Sequence, residues 1–225
     1  EELDLYSDGV ALLDIKPNEK IFRRDCLEVE LRIGGRPLTL FVTHLKSMGG
    51  PRNGMDGRLA TLPVRVAETK AIRHVVEQRF GVNGTAHGQC LICGDMNDYY
   101  EKIEIRDGAD GGFDFVPVED ANSALNVFLA DGFAENLVGR REQMDRGTLY
   151  RPRRPLARHL CQSDYILASP ALASRNGTRK PDIIRRGQPY RTIFPAGQEV
   201  ERYPRVGWDR PKSSDHCPVA MTFDV

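Results

Sequence analysis

Apolar and polar residues alternate most clearly from Cys26 to Ile33. There Leu27, Val29, Leu31 and Ile33 point one way, and Cys26, Glu28, Glu30 and Arg32 the other. A period of two predicts a half-buried strand. Gly34-Gly35 follows as a tight hairpin turn, and Leu38, Leu40 and Val42 carry the alternation through a return strand from Pro37 to about His44. Val10–Ile15 is a further predicted strand. The period then changes. Val66, Ile72, Val75, Val76 and Phe80 form the apolar face of a helix predicted from about Pro63 to Phe80. Pro63 suits its first turn and Gly81 its end. Gln89–Gly94 reads as a buried strand, Asp164–Ala168 as a short strand that opens on a carboxylate, and Val219–Phe223 as the last strand. A short helix is expected over Asn122–Ala130, with Leu125, Phe128 and Leu129 buried. Residues 99–120, charged and Gly-rich, read as loop, as does most of 170–212. Strand, helix and strand in this order indicate a layered α/β domain.

Polar clusters sit at the strand ends: His44-Leu45-Lys46-Ser47, Gly94-Asp95-Met96-Asn97, Asp164-Tyr165, and Ser214-Asp215-His216. If the chain stays extended after Gly94, Asp95 and Asn97 share a face. A carboxylate beside a neutral amide suits a phosphate: one takes a proton from water or holds a cation, and the other donates to a phosphoryl oxygen. The plainer readings are a turn for Asp95, Asn97 and Asp98 and a surface histidine closing a hairpin for His44.

Composition narrows the picture. The chain has 225 residues and no Ser- or Pro-rich linker, so one domain is expected over 1–225. Hydrophobic residues make up 40%, enough for a substantial core. Formal net charge is zero, so affinity for nucleic acid must be local. The local sources are the Gly-rich stretch Met48–Arg58, expected to be a long loop with Arg52 and Arg58, and Arg140–Arg158, where seven arginines face Glu142 and Asp145. The second stretch is either a solvated loop or a phosphate-facing patch. No apolar run approaches the ~18 residues that span a bilayer. The first residues, Glu1-Glu2-Leu3, leave secretion open, with cytoplasmic the default expectation. Five cysteines argue against a disulfide scaffold, and Cys90 and Cys93 read as small buried hydrophobes on opposite strand faces. Asn176-Gly177-Thr178 fits a glycosylation acceptor by chance.

The four clusters, in this order, resemble the endonuclease/exonuclease/phosphatase superfamily of deoxyribonuclease I-like, metal-dependent phosphoesterases. The matching pieces are HLKS at His44–Ser47, GDMN at Gly94–Asn97, SDYIL at Ser163–Leu167 and SSDHCPV at Ser213–Val219. The resemblance runs from about Ser7 onward, and Asp8–Leu13 with Arg24–Val29 looks most like bacterial branches. It implies a four-layer sandwich of two mixed β-sheets flanked by helices, here without its first strands. It also implies Mg²⁺-dependent (or Mn²⁺-dependent) hydrolysis of a phosphate ester, with DNA or RNA as the expected substrate and no protein partner evident. Asp95 would orient or deprotonate the water, and Asn97 would hold a phosphoryl oxygen. Asp215 would contribute to the metal site, His216 would contact the phosphate with its ring oriented by Asp164, and His44 would be a second phosphate contact or proton donor. Lys46, Arg52, Arg58, Arg151 and Arg153 are the candidate substrate-binding cations. The family's first-strand Asn and metal-binding Glu have no counterpart, and Ser163 stands where the family is apolar. Those departures leave two alternatives: an impaired relative acting as a binding or scaffold domain, and a phosphatase of a small phosphorylated substrate.

Overall fold

The computed structural model describes residues 20–49, 56–81, 83–152 and 158–225. The strands are β1 (Cys26–Ile33), β2 (Arg36–His44), β3 (Cys90–Asp95), β4 (Glu101–Asp107), β5 (Phe113–Glu119), β6 (Glu135–Asn136), β7 (Leu149–Arg151), β8 (His159–Cys161), β9 (Asp164–Ala168), β10 (Asp182–Ile183) and β11 (Val219–Ala220). The helices are α1 (Gly57–Phe80), α2 (Asn126–Leu129) and α3 (Pro170–Arg175). The larger sheet has five strands in the order β1-β2-β3-β9-β6, and the second has four in the order β5-β4-β8-β7. A small pair, β10-β11, stands apart. The architecture is mixed α/β, with two main antiparallel-rich sheets compatible with a sandwich.

The hairpin forms as its sequence predicts. Ile33 pairs with Arg36 across Gly34 and Gly35, whose φ values of 58° and 83° suit two glycines and a tight turn. Strands β2 and β3 run parallel, which requires a crossover, and α1 supplies it. Phe41, Ile92, Tyr165 and Leu167 pack with Ile72 and Val76 of α1 and with Leu125 and Phe128 around α2. A second cluster joins Leu38, Leu91 and Ala168 to Leu172 and Ala173 of α3, with Met221, Phe223 and Val225 packed against it. Ile103, Ile105 and Leu160 of the second sheet pack with Ile183 and Cys217. Full burial of one large aliphatic or aromatic side chain contributes about 1.5–3 kcal/mol.

Several expectations are corrected. Residues 99–120 are not loop but mostly the β4–β5 hairpin: Ile103 and Ile105 alternate inward, while Lys102, Glu104 and Arg106 pair with one another on the other face. Helix α1 begins at Gly57, six residues before Pro63, with the Asp56 side chain accepting from Arg58 N. Its inward face differs too. Val75 is 42% exposed, whereas Arg58, Arg65 and Glu68 are buried. Strand β1 is less covered than a half-buried strand: Leu27 is 60% and Ile33 48% exposed. The last strand is only Val219–Ala220. The Asn176 side chain is buried and donates to Leu172 O and Asp224 O, so it offers no glycosylation site in the fold. Val10–Ile15, Arg52 and Arg153 lie outside the described residues. Among the described residues no helix is long and apolar enough to cross a membrane. The cysteines are free, and burial pushes the Cys90 thiol up to about 11.

Candidate active site

Strand pairing brings three of the clusters into one row. His44, the last residue of β2, pairs with Asp95 at the end of β3, and Asp95 pairs with Asp164 at the start of β9. Gly94 makes this approach possible. Its φ is 133°, and a Cβ there would lie 2.0 Å from Thr43 O, so only glycine lets β2 and β3 close up beside the row. His216 arrives from the far end of the chain. It bridges to Leu149, and Cys217 N donates to Thr148 O at 2.7 Å.

The Asp95 carboxylate is held on both oxygens. Its Oδ1 accepts from Asn97 N (2.8 Å) and from the Ser163 hydroxyl (2.7 Å). Its Oδ2 accepts from Asn97 Nδ2 at 3.1 Å and lies 3.3 Å from His44 Nε2 and 4.0 Å from His216 Nε2. Two imidazole nitrogens thus converge on one carboxylate oxygen. His44 is open, with a side chain 52% exposed. His216 is anchored: its Nδ1 lies 2.9 Å from Asp164 Oδ2. That hydrogen bond raises the His216 pKa above its ordinary 6.5, outweighing the lowering by burial, and the charges of Asp164 and Asp95 add to the rise. Thr148, fully buried, donates its hydroxyl to Asp164 Oδ2 at 2.7 Å and accepts from Ser163 N and Asp164 N.

Asn97 reaches Asp95 by a different route from strand alternation. Its φ is 48°, so the chain has already turned. Its amide nitrogen donates to Leu45 O (3.1 Å) and to Asp95, and the residue is only 7% exposed. Asn97 therefore locks the two strand exits together and has no amide hydrogen left for a phosphoryl oxygen.

The remaining predicted residues are placed as follows. Asp215 is turned to solvent, 65% exposed and 3.6 Å from Lys212 Nζ. Burial raises its pKa, but its own backbone N–H, Lys212 and His216 outweigh this and leave it below the ordinary carboxylate value. Arg58 does not face a substrate: its guanidinium is buried on Asp98, Asp120 and Asn122 O and stacks over Tyr99. Lys46 reaches back to Ser47. Its backbone N–H donates to Glu68 at 2.7 Å and its carbonyl accepts from Arg65. Arg151 extends toward Met48, its Nη2 3.4 Å from the sulfur. Among the described residues of the Arg140–Arg158 stretch, Arg140, Arg141, Arg146 and Arg158 pair with Glu135, Asp145, Glu101 and Asp107 rather than forming an open patch.

Sequence reasoning missed Ser163, Thr148 and Asp98. A serine at a position expected to be apolar was a signal for Ser163. Nothing marked Thr148, whose role depends on a strand that pairs only in three dimensions.

Asp95, Asp164 and His216 each offer a ligand atom within 4.8 Å of the others. Two carboxylates and an imidazole fit a divalent cation. Mg²⁺ needs only one or two carboxylates because it keeps several waters, and Mn²⁺ accepts the nitrogen as well. Asp215 lies outside this group. No protein-family model matches the sequence, and no curated protein matches it.

Proposed function

We propose that the protein is a divalent-metal-dependent phosphoesterase of the endonuclease/exonuclease/phosphatase type, a nuclease or phosphodiesterase acting on nucleic acid, on a deoxyribonuclease I-like four-layer sandwich. The observation that carries this reading is the convergence of His44 Nε2 and His216 Nε2 on Asp95 Oδ2, beside a second carboxylate. Phosphodiester hydrolysis needs an oriented water, charge neutralisation and a proton for the leaving oxygen. Asp95 and Asp164 would hold the cation, which when bound supplies positive charge to the phosphoryl oxygens. Asp95 Oδ2 orients the attacking water and takes its proton. His216, kept in one tautomer by Asp164, contacts the phosphate through Nε2. His44, exposed and adjacent, donates a proton or a second phosphate contact.

The placement of Asp215 favours a second reading, a binding domain with an impaired metal site. A substrate panel separates the two: single- and double-stranded DNA, RNA, a phosphoinositide and a generic phosphodiester, each with Mg²⁺ or Mn²⁺. The phosphoesterase reading expects metal-dependent turnover that drops about 10²-fold or more in Asp95→Ala and in His216→Ala. Full activity in both variants overturns the assigned roles. No turnover of any substrate favours the binding domain.

A further inference from the structure

The loop Arg185–Lys212 takes no part in the group just described, yet it is tied to it. Ser213 N donates to Gly187 O, and Gln188 Nε2 to Ser214 O, so the base of the loop is fastened immediately before Asp215-His216. Inside the loop, Tyr190 N and Arg191 N donate to Gly207 O and Trp208 O, and Tyr203 N to Arg186 O. Gly207 N donates to Pro211 O and closes a tight turn, and a Cβ on Gly207 would lie 2.2 Å from Arg210 O. The turn holds up Trp208, 73% exposed and the sole tryptophan of the chain. An indole is among the largest apolar surfaces a fold can bury, and here it is presented to solvent on a braced turn. Tyr190 (55%) and Tyr203 (41%) are also exposed. Arginines lie over these rings: Arg186 is 4.9 Å from the Tyr203 centroid and Arg202 is 5.7 Å from that of Tyr190. The stretch 185–212 holds seven Arg and Lys against three Asp and Glu; Arg185, Arg186, Arg191 and Lys212 pair with Asp145, Glu201, Asp209 and Asp215, while Arg205 and Arg210, on either side of Trp208, are exposed.

We propose that this loop is a platform for single-stranded nucleic acid, with Trp208 stacking on an unpaired base and the exposed Arg205 and Arg210 taking flanking phosphates. Exposed aromatic faces interleaved with cations fit a strand whose bases are free to stack, whereas a duplex keeps its base faces inside. The proposal rests on the reading of the adjacent site as one for phosphate esters, and it specifies the polymer delivered to it.

Trp208 is its own reporter. The full chain, in EDTA so that nothing turns over, is titrated with oligomers of about 12 nucleotides: thymidine DNA, uridine RNA, an abasic sugar–phosphate strand and a duplex. Saturable quenching of tryptophan emission by the DNA or the RNA is expected, with roughly tenfold or weaker binding of the abasic strand and the duplex. The two single-stranded arms decide between DNA and RNA. Trp208→Ala is expected to weaken oligomer binding about tenfold by anisotropy, and Trp208→Phe to keep most of it. Arg205→Ala and Arg210→Ala should each flatten the log–log salt dependence by roughly 0.7. Equal binding of the abasic strand or duplex, or unchanged affinity in Trp208→Ala, overturns the platform. Hydrolysis of bis-nitrophenyl phosphate with Mn²⁺ reads the Asp95–His216 group separately. Quenching without that hydrolysis counts against the hydrolytic reading alone, and hydrolysis without quenching counts against the platform alone.

Discussion

Asp95 and Asp98 lie three residues apart at the exit of one strand, and each carboxylate is held on both oxygens. Around Asp95 the donors are Asn97 N and Nδ2 and the Ser163 hydroxyl, with His44 Nε2 3.3 Å away. Around Asp98 they are Arg58, Arg65, Tyr99 N and Ala124 N. Asp95 keeps 18% of its side chain exposed, and Asp98 keeps none. Hydrogen bonding on both oxygens therefore does not by itself set the two carboxylates apart. The permanence of the partners' charge does. A guanidinium keeps its charge, so Asp98 sits in a dry cluster beside two permanent cations. Asp95 is surrounded instead by imidazole, amide and hydroxyl groups, the setting that the proposed hydrolytic role requires.

The largest expected effect lies on the structural side. Asp98→Ala strands two buried guanidiniums and two backbone N–H groups, and should cost about 3–5 kcal/mol in urea unfolding. Asp95→Ala should cost about 1–3 kcal/mol and, on the proposed function, lower hydrolysis about 10²-fold or more. The contrast breaks if the two variants unfold at the same urea concentration. Next comes Gly94→Ala, which forces a Cβ against Thr43 O and should destabilise by roughly 1–3 kcal/mol or more. A variant as stable as the parent would mean that the His44–Asp95 pairing does not depend on that close approach. Ser163→Ala is smaller. It removes one of the three hydrogen bonds to the Asp95 carboxylate, and an unfolding cost of about 1 kcal/mol with, on the proposed function, a clear fall in hydrolysis is expected. Unchanged activity would remove Ser163 from the site. The smallest effect is a titration. His216 is raised by Asp164, so its stabilising pairing is fully present below the unfolded pKa of 6.5 and is lost as pH rises through the higher folded value. In Asp164→Asn the ring should titrate lower by NMR, and an unmoved titration would reassign the cause of the shift.

Much of the larger sheet was legible because its strands alternate cleanly and are punctuated by Gly34-Gly35 and Gly94. The β4–β5 hairpin was not. Ile103 and Ile105 do alternate, but the charges between them read as loop until their cross-face pairing is known. The N-terminal half of α1 was hidden for a related reason: it buries Arg58, Arg65 and Glu68 where periodicity looks for apolar residues. Of the candidate site, His44, Asp95, Asp164 and His216 could be named in advance, since each follows or precedes a recognisable strand. Their supports could not. Asn97 looked like a ligand and proves to be a clasp, Asp98 looked like a turn residue and is a buried ion-pair hub, and Thr148 gave no sign at all.

The contributing residues are strung from position 44 to position 216, and the backbone that carries the last of them is tied to Thr148 and Leu149 while its ring rests on Asp164. During synthesis, residues 44, 95 and 164 leave the ribosome before residue 216. A chain that has not reached residue 216 lacks the anchored imidazole, so the hydrolysis proposed above should appear only after elongation has passed that point. On the same proposal, a proteolytic fragment that stops short of residue 216 should lack the activity, which would make turnover a report on the continuity of the chain as well as on its folding.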